Sequence, residues 1–511
     1  MTRPSSFPPT LTTALALIAS AALFGLCQPV LGDGEGCGVL VLVAWVPVLV
    51  VTRDAPLRRV LVVATAASTV RHALLLSWVA SALTTAGLSR WWAALAVFTL
   101  VLFLGSIAGA AVATARVLAR RCGLPNTLAL PLCVAGAEVA IGAAPFGGFP
   151  WGHLGYALAT VPLLVQAASV IGVVGLSALA ALTNAVVAEL LVVRAPGRTR
   201  CTIGIAVAVA IGGAWVTFGA WRLRDASVDV TRAGAGARVV VFAPLSSQRA
   251  PKAMPSARPY RAQQDAAFKA GAEIVIWPEL SLPTVVHHDA PDLTAAGVGA
   301  NAARPPAAAI IGAPSSDARG ALYNSAFVLG ANEGVLTRVD KRRLVPFAER
   351  TPAPFDVLLA PLFRTPTTPG DDVRAVTVPL AGGGLRIGVL ICYEAAFPGL
   401  AQALVDDGAE VLVELSNDAW FATIAGKRQH LAQSVLRAVE TGAPLVRAAN
   451  AGVSGLIDVH GRVHDGALQS VALAAHPVTS RASRSCRHLP LPSTSGAVAA
   501  RARPARGTAA R

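Results

Sequence analysis

Long uncharged stretches fill the first half of the chain. Residues 11–30, 36–52, 91–115 and 139–188 contain no Asp, Glu, Lys or Arg, and about 20 apolar residues suffice for a helix to cross the roughly 30 Å hydrocarbon core of a bilayer. We therefore predict a membrane domain over residues 1–224 with about seven transmembrane helices. The expected spans are 11–30, 37–52, 60–80, 92–115, 126–143, 162–190 and 202–221.

The loops between these spans differ in their content of basic residues. The loops after the second, fourth and sixth spans are rich in arginine, whereas those after the first, third and fifth contain only Arg90. Because Lys and Arg in short loops favour the cytoplasmic side, this alternation predicts a cytoplasmic N-terminus. Everything after the seventh span is then expected outside the cytoplasm.

The second half has a different pattern, in which short β-type runs alternate with amphipathic helices. Runs such as "AEIVIWPEL", "GVLICYE" and "AEVLVELSND" indicate buried strands, and "RPYRAQQDAAFKAG" and "KRQHLAQSVLRAVETG" have helical periodicity. Alternating strands and helices are typical of an α/β domain, which we place at residues 237–465. Residues 466–511 form a separate tail rich in Arg, Ala and Pro.

The net charge of +15 does not indicate a nucleic-acid partner, because of where the arginines lie. Seven arginines follow residue 480, and others occupy the loops assigned to the cytoplasmic side. With 54% hydrophobic and only 14% charged residues, the composition differs from that of an average soluble domain. The basic balance reflects membrane topology and attraction to anionic lipid.

Three reactive side chains end or closely follow strands of the α/β domain. Glu279 follows "IVIWP", Lys341 ends "GVLTRVDK" and Cys392 follows "GVLI". A free cysteine is most often a small buried core residue, but Cys392 is the only cysteine between residues 237 and 465 and has no disulfide partner in its domain. An acid, an amine and a thiol at one edge of a sheet are the groups that nucleophilic acyl chemistry requires.

The sequence around these three residues resembles a known family. The segments "IWPEL", "DKRRLVPFAERTP", "GVLICYE", "SNDAWF" and "RAANAGVSGLIDVHGRV" are similar to motifs of the nitrilase, or carbon–nitrogen hydrolase, superfamily. Together with a multi-span domain containing "GGFPWGHLGY" at 147–156, they resemble the apolipoprotein N-acyltransferase family. The resemblance implies a multi-span α-helical membrane domain followed by an extracytoplasmic α/β domain, a nitrilase-like α-β-β-α sandwich.

The resemblance also implies an activity. It is a ping-pong reaction in which Cys392 takes an acyl chain from a membrane phospholipid as a thioester and passes it to the N-terminal amine of a diacylglyceryl-cysteine lipoprotein. The implied protein is a monomer in the bacterial inner membrane, with the catalytic domain on the periplasmic side, and it needs no metal or organic cofactor. The implied catalytic triad is Glu279, Lys341 and Cys392, and the supporting or substrate-binding residues are Glu349, Tyr393, Glu394, Trp151, Asn417 and Trp420.

Two departures from the family pattern stand out. The segment "VVVFAPLSSQRAPKAM" lacks the family's "Q-x-N" strand end and the tryptophan that follows it, so acyl-chain or acceptor specificity is expected to differ, or activity to be reduced. The tail contains no apolar run and therefore lacks the family's last transmembrane helix. We expect either a truncated or frameshifted C-terminus, or a disordered tail attracted to lipid.

Two other functions remain open at this point. The first is a membrane-tethered amidase of the same superfamily, with water or ammonia in place of the lipoprotein amine. The second is a catalytically impaired paralogue that binds lipoproteins. The triad does not separate these from an acyltransferase, but the membrane spans with their "GGFPW" loop favour lipid substrates, since a soluble substrate needs no bilayer domain.

Several residues of the membrane domain invite separate interpretations. Glu138 is costly in lipid and is expected to face the bundle in a structural hydrogen bond. Trp151 and Tyr156 are expected at the membrane interface, where aromatic residues concentrate, or at the lipid entrance. The pair Arg71 and His72 falls inside the third span and has no evident partner.

Overall fold

A computed structural model describes most of the chain. The described residues are 9–28, 36–85, 87–192, 198–224, 237–241, 258–269, 271–296, 298, 308–330, 334–352, 356, 367–380, 383–465 and 471–473. The segment 242–257, which carries most of the first departure from the family pattern, and the tail beyond 473 lie outside this set.

The first half of the chain is helical, as its apolar stretches predict. A 3₁₀ helix, Gly38–Leu42, precedes α2, and another, Leu154–Thr160, precedes α7. The α-helices are α1 (Pro9–Cys27), α2 (Val46–Val51), α3 (Leu57–Leu75), α4 (Ser77–Thr85), α5 (Arg90–Arg121), α6 (Asn126–Ala143), α7 (Pro162–Val165), α8 (Ala168–Val192) and α9 (Arg198–Arg224).

The expected count of seven spans is not reached among the described residues. Five helices there are long and apolar enough to cross a membrane, and a sixth span results if α3 and α4, bent by 49°, act as one. The expected span at 37–52 is the short apolar element Gly38–Val51, which extends only about 21 Å at 1.5 Å per residue. These helices are those of a multi-pass membrane protein.

The second half is an α/β domain with two sheets. The first has the strand order β13-β1-β2-β4-β5-β6, with β3 beside β4, and the second has the order β12-β11-β10-β9-β8-β7. The strands are β1 (Ala237–Val241), β2 (Ile274–Ile276), β3 (Val286–His287), β4 (Ala308–Ser316), β5 (Leu322–Leu329), β6 (Val335–Asp340), β7 (Val376–Leu380), β8 (Gly383–Ile391), β9 (Val411–Asn417), β10 (Leu445–Asn450), β11 (Gly455–Ile457), β12 (Val463–Asp465) and β13 (Val471–Leu473).

The two sheets pack face to face with helices outside them. Alternate residues of β8, including Ile387 and Val389, join Ile274 and Ile276 of β2 in the core between the sheets. The opposite face of the first sheet packs on α10 (Arg258–Lys269), and that of the second on α11 (Pro398–Asp406) and α12 (Ile424–Thr441). Strands buried on both faces give continuous apolar runs, and the predicted α-β-β-α sandwich is confirmed.

The hydrophobic core outside the second sheet continues into the membrane domain. Leu436 and Val439 of α12 belong to the same buried cluster as Leu158 and Leu176 of the membrane domain. The α/β half is therefore packed directly on the helical half.

The α/β domain extends beyond the predicted boundary at 465. Residues 471–473, assigned to the tail, form strand β13, which pairs antiparallel with β1. The expectation of a tail without structure is therefore wrong for these three residues. The rest of that expectation concerns residues outside the described set.

Arg71 and His72, for which the sequence shows no evident partner, both have hydrogen-bond partners in the structure. Arg71 Nη2 donates to the Gly152 carbonyl at 2.5 Å, and Arg71 Nη1 lies 3.2 Å from His72 Nε2. His72 Nδ1 lies 2.8 Å from the Ser68 carbonyl. Because a carbonyl only accepts and a guanidinium only donates, His72 carries its proton on Nδ1 and accepts from Arg71.

Candidate active site

Cys392 occupies a sharp turn at the end of β8. Its φ is +52°, a region that side-chain-bearing residues adopt at a cost of about 1–3 kcal/mol and mainly where the surrounding structure holds them, often at active sites. A 3₁₀ helix, Cys392–Ala396, begins at the turn. The side chain is partly accessible, whereas the strand before it is buried. The turn thus presents the thiol at the edge of the sheet.

Glu279 and Lys341 meet in a buried group beside this turn. Lys341 Nζ donates to Glu279 Oε1 at 3.0 Å and to Glu349 Oε1 at 2.8 Å. Asn324 Nδ2 donates to the same two oxygens, at 2.7 and 3.2 Å. The Asn417 backbone N–H donates to Glu279 Oε2 at 3.0 Å. The carboxyl groups of Glu279 and Glu349 are therefore both held in place by N–H donors.

Charge and burial act in opposite directions on Lys341. Burial alone would lower its pKa, but the charges of Glu279, Glu349 and Cys392 raise the pKa of Lys341 well above its usual value. Lys341 is therefore an ammonium group, which can stabilise negative charge that develops next to it.

The thiol of Cys392 is protonated in the resting site. Burial raises the pKa of Cys392 well above its usual value, and the charge of Glu279 raises it further, whereas Lys341 acts in the opposite direction. A base is then needed to remove the proton when a substrate arrives.

The raised pKa of Cys392 predicts a pH profile for its alkylation. The thiolate is the reactive form of a cysteine. The rate constant for alkylation of Cys392 by iodoacetamide should therefore rise about tenfold per pH unit up to about pH 9. The same rate constant for a cysteine in a short peptide levels off at about pH 8.5. Peptide-resolved mass spectrometry measures the modification of Cys392 alone. A plateau below about pH 8 would show a preformed thiolate and contradict this account.

Glu394 connects the turn at Cys392 to the backbone that follows Lys341. Its Oε1 accepts from the Arg342 and Arg343 backbone N–H groups at 2.6 and 3.1 Å, and its Oε2 accepts from the Ile391 N–H at 2.9 Å. The Arg342 guanidinium also pairs with Glu394. Glu394 therefore fixes the position of Cys392 relative to Lys341, and its supporting role is structural.

A buried group of charges that the sequence analysis missed lies beneath Cys392. Arg447 donates to Glu414 at 3.1 Å and to both carboxylate oxygens of Asp418 at 3.1 Å. Burial would raise the pKa of Asp418, but Arg447 and then His430 lower it well below its usual range. His430 Nε2 lies 3.1 Å from the Cys392 carbonyl oxygen, to which it donates. The group therefore fixes the backbone of Cys392.

Tyr393 and Trp151 join the site to the membrane domain. The Tyr393 hydroxyl donates to the Gly148 carbonyl at 3.2 Å, and the Trp151 ring stacks on Tyr393 at 6.4 Å and on His430 at 5.5 Å between ring centroids. Trp151 Nε1 donates to Gln429 Oε1 at 2.9 Å.

The expectation of interfacial anchors at Trp151 and Tyr156 is wrong. Both side chains are buried, and the Tyr156 hydroxyl donates to the Ala396 carbonyl at 3.2 Å. The catalytic domain covers them, so their polar atoms bond to protein rather than to the membrane surface. Glu138 accepts from the Leu154 N–H at 2.7 Å, as expected for a structural hydrogen bond.

The two remaining predicted residues, Asn417 and Trp420, lie in different surroundings. Asn417 follows Glu414 on β9, and its backbone N–H reaches Glu279. Trp420, in contrast, is 36% exposed, whereas the next residue, Phe421, is buried against Trp151 at 5.6 Å between ring centroids. Phe421, and not Trp420, therefore makes the contact with Trp151, and the supporting or substrate-binding role of Trp420 stays a prediction.

Comparisons with known proteins cover both halves of the chain. The family model described as "Carbon-nitrogen hydrolase" matches residues 222–473, and that described as "Apolipoprotein N-acyltransferase N-terminal domain" matches residues 20–186. A protein of Geobacter metallireducens named apolipoprotein N-acyltransferase is 30% identical over 468 residues, which are 88% of this chain and 86% of that protein.

Other relatives match over a smaller part. Proteins of the same name from Allorhizobium ampelinum and Rhizobium meliloti are 32% and 34% identical over 348 and 339 residues. Each alignment covers 62% of this chain, and it covers 61% and 60% of the two relatives. The chain thus spans about three fifths of the length of these two proteins.

Proposed function

Since the chain belongs to the apolipoprotein N-acyltransferase family, we propose that it transfers an acyl chain from a membrane phospholipid to the N-terminal amine of diacylglyceryl-cysteine lipoproteins. The protein is proposed to act as a monomer with its catalytic half on the periplasmic side. The acyl chain is carried as a thioester on Cys392. No metal or organic cofactor takes part in this scheme.

The observation that carries the proposal is the direct packing of the nucleophile turn on the membrane domain. Tyr393, next to Cys392, bonds to Gly148, and Trp151 lies between Tyr393 and His430. Both Gly148 and Trp151 belong to the loop after α6. A thiol attached in this way to an apolar helical domain suits an acyl donor and an acceptor that are both lipids.

The first half-reaction forms the thioester. Glu279 takes the proton of the Cys392 thiol as the sulfur attacks the ester carbonyl carbon. Negative charge then develops on the carbonyl oxygen, and Lys341 can donate to it, because its two hydrogen bonds to carboxylates use two of its three N–H groups. When the intermediate collapses, the C–O bond breaks and the departing lysophospholipid oxygen takes the proton from Glu279.

The second half-reaction returns the enzyme to its starting state. The lipoprotein amine attacks the thioester carbon, and Glu279 accepts a proton from that amine. The C–S bond breaks, an amide remains on the lipoprotein, and the proton passes to the Cys392 sulfur. Burial of the thioester excludes water, which would otherwise release the acyl chain as a free fatty acid.

Acyl transfer in vesicles tests this function. The purified protein, in phospholipid vesicles with a diacylglyceryl-cysteine peptide, is expected to add one acyl chain to the peptide N-terminus and to release one lysophospholipid per transfer. Cys392→Ala should produce neither. Release of ammonia from simple amides without acylation of the peptide would contradict the proposal and support the amidase, and a folded protein without either activity would support the lipoprotein-binding paralogue.

A further inference from the structure

The membrane domain contains a cavity away from the catalytic group, and most of its lining is apolar. It has a volume of about 40 Å³, and its lining includes four polar side chains, Arg71, His72, Glu138 and His153. Each of them is between 3% and 7% exposed. Arg71 and His72 belong to α3, Glu138 belongs to α6, and His153 lies in the loop after α6. Charged side chains are rare inside membrane domains because they are costly there.

Arg71 and Glu138 hold the same short segment of backbone. Arg71 Nη2 donates to the Gly152 carbonyl at 2.5 Å, and Glu138 Oε1 accepts from the Leu154 N–H at 2.7 Å. A donor side chain thus meets a backbone acceptor and an acceptor side chain meets a backbone donor, two residues apart. A Cβ at Gly152 would lie 3.2 Å from His72 Nε2, so the backbone there is also closely packed.

This segment is connected to Cys392 through Trp151 and His430. Trp151 precedes Gly152, stacks on Tyr393 and His430, and donates to Gln429. His430 in turn donates to the Cys392 carbonyl. A change in the position of Gly152 therefore reaches the backbone of the reactive thiol through one aromatic contact and one hydrogen bond.

Among the described residues, several buried polar atoms around the cavity lack a hydrogen-bond partner. In the described part of the chain, Arg71 Nε, Glu138 Oε2 and both ring nitrogens of His153 have no hydrogen bond, although Glu138 Oε2 is 3.7 Å from His153 Nδ1. Leaving such buried groups unsatisfied is unfavourable. A cavity of about 40 Å³ has room for roughly three water molecules, at about 10–15 Å³ each, and these unpartnered atoms are the groups to which the water would bond.

We propose that Arg71 and Glu138 are a hydrated polar pair that positions Trp151 against the nucleophile turn. Water in the cavity bridges the two side chains, and their hydrogen bonds to Gly152 and Leu154 fix the loop. Both are positioning residues, because they act through Trp151 and touch no reacting atom. This inference rests on the proposed acyl transfer for one of its two readouts.

The test compares Arg71→Met with a matched control in the same domain. Arg71→Met is expected to slow formation of the Cys392 acyl adduct at saturating phospholipid by about tenfold, since small displacements of catalytic groups have effects of this size. Arg71→Lys should recover most of the rate, because an ammonium can still donate to the Gly152 carbonyl. The control is Asn184→Leu, which removes buried hydrogen bonds to Val41 and Trp45 and should lower Tm without changing the rate constant.

A double variant shows whether Arg71 acts through Trp151. If it acts through Trp151, Arg71→Met combined with Trp151→Leu should be no slower than Trp151→Leu alone. Independent, multiplicative slowing would overturn the inference, as would an unchanged rate constant with a lowered Tm in Arg71→Met. If Arg71→Met does not fold, Glu138→Gln provides the same comparison, because it weakens the hold on Leu154.

The alkylation rate of Cys392 separates this inference from the proposed function. Iodoacetamide needs no lipid, and its rate constant at Cys392 should change by at least about threefold in Arg71→Met but not in Asn184→Leu. A wild-type protein that forms no acyl adduct but shows this difference would retain the positioning role and exclude the proposed acyl transfer. Equal alkylation of wild type and Arg71→Met would contradict the positioning role.

Discussion

Lys341→Met is expected to slow acylation of Cys392 by at least about a thousandfold. Removing one donor to a developing oxyanion costs about a hundredfold to a thousandfold, and Lys341 also organises the two carboxylates that it contacts at 2.8 and 3.0 Å. Methionine has a similar length but no charge and no N–H. The measurement is the single-turnover rate of adduct formation, followed by intact-protein mass.

The lysine variant needs a control for folding. Breaking a buried ion pair by removing one partner costs about 3–5 kcal/mol, so Lys341→Met alone could lose activity through unfolding. Adding Glu349→Gln removes one uncompensated carboxylate and should recover thermal stability without recovering the rate. A folded Lys341→Met protein within tenfold of the wild-type rate would exclude a role for this ammonium in stabilising the oxyanion.

Glu279→Gln is expected to have two effects of opposite sign. Acylation should fall about a thousandfold, because a positioned base contributes about a hundredfold to ten-thousandfold. The thiol itself should become more acidic, since the charge of Glu279 raises the pKa of Cys392 while Lys341 lowers it. Alkylation of Cys392 by iodoacetamide should therefore become faster near neutral pH while acyl transfer is lost.

A matched carboxylate outside the site provides the comparison. Glu410 Oε2 accepts from the exposed Arg386 backbone N–H at 3.0 Å, and Glu410→Gln should leave both rates unchanged. If Glu279→Gln slows alkylation and acylation together, the loss reflects a disturbed site rather than a missing base. The carboxamide must also place its NH₂ group against a donor, either Asn324 and Lys341 or the Asn417 backbone N–H, so the stability of this variant is measured as well.

The predicted triad shows which features of this site a sequence carries. Glu279, Lys341 and Cys392 each follow an apolar run of strand length. The expectation of a single sheet edge is wrong, because Glu279 and Lys341 follow β2 and β6 of the first sheet and Cys392 follows β8 of the second. The face-to-face packing of the two sheets brings these strand ends together. The periodicity and turn residues that define these strands are local. The position of a reactive residue relative to a strand can therefore be predicted without knowledge of the rest of the fold.

The buried charges beside Cys392 can be recognised as a group only when the strand register is known. Arg447 and Glu414 are each the only charged residue in an otherwise apolar strand core, which was the available signal. Only the parallel pairing of β10 with β9, in which Arg447 lies opposite Glu414, shows that they neutralise each other. An isolated charge in a buried strand has no evident partner until its neighbouring strand is known.

The contacts between the two halves could not be predicted from the sequence either, because each partner lies far away along the chain. Trp151 has the character of a membrane-interface residue, and nothing within its own loop indicates that α12 covers it through Gln429. Arg71 bonds to a carbonyl 81 residues away. Such partners depend on the packing of one domain on the other, which local patterns do not encode.

The most direct test of the central claim is the intact mass of the purified protein after incubation with phospholipid. The account predicts a gain of one acyl chain on the wild type, removed by hydroxylamine because a thioester is cleaved by it, and no gain on Cys392→Ala. A folded, membrane-inserted wild-type protein that gains no acyl chain, or one whose adduct persists in Cys392→Ala, would contradict the assignment of Cys392 as the acyl-carrying nucleophile.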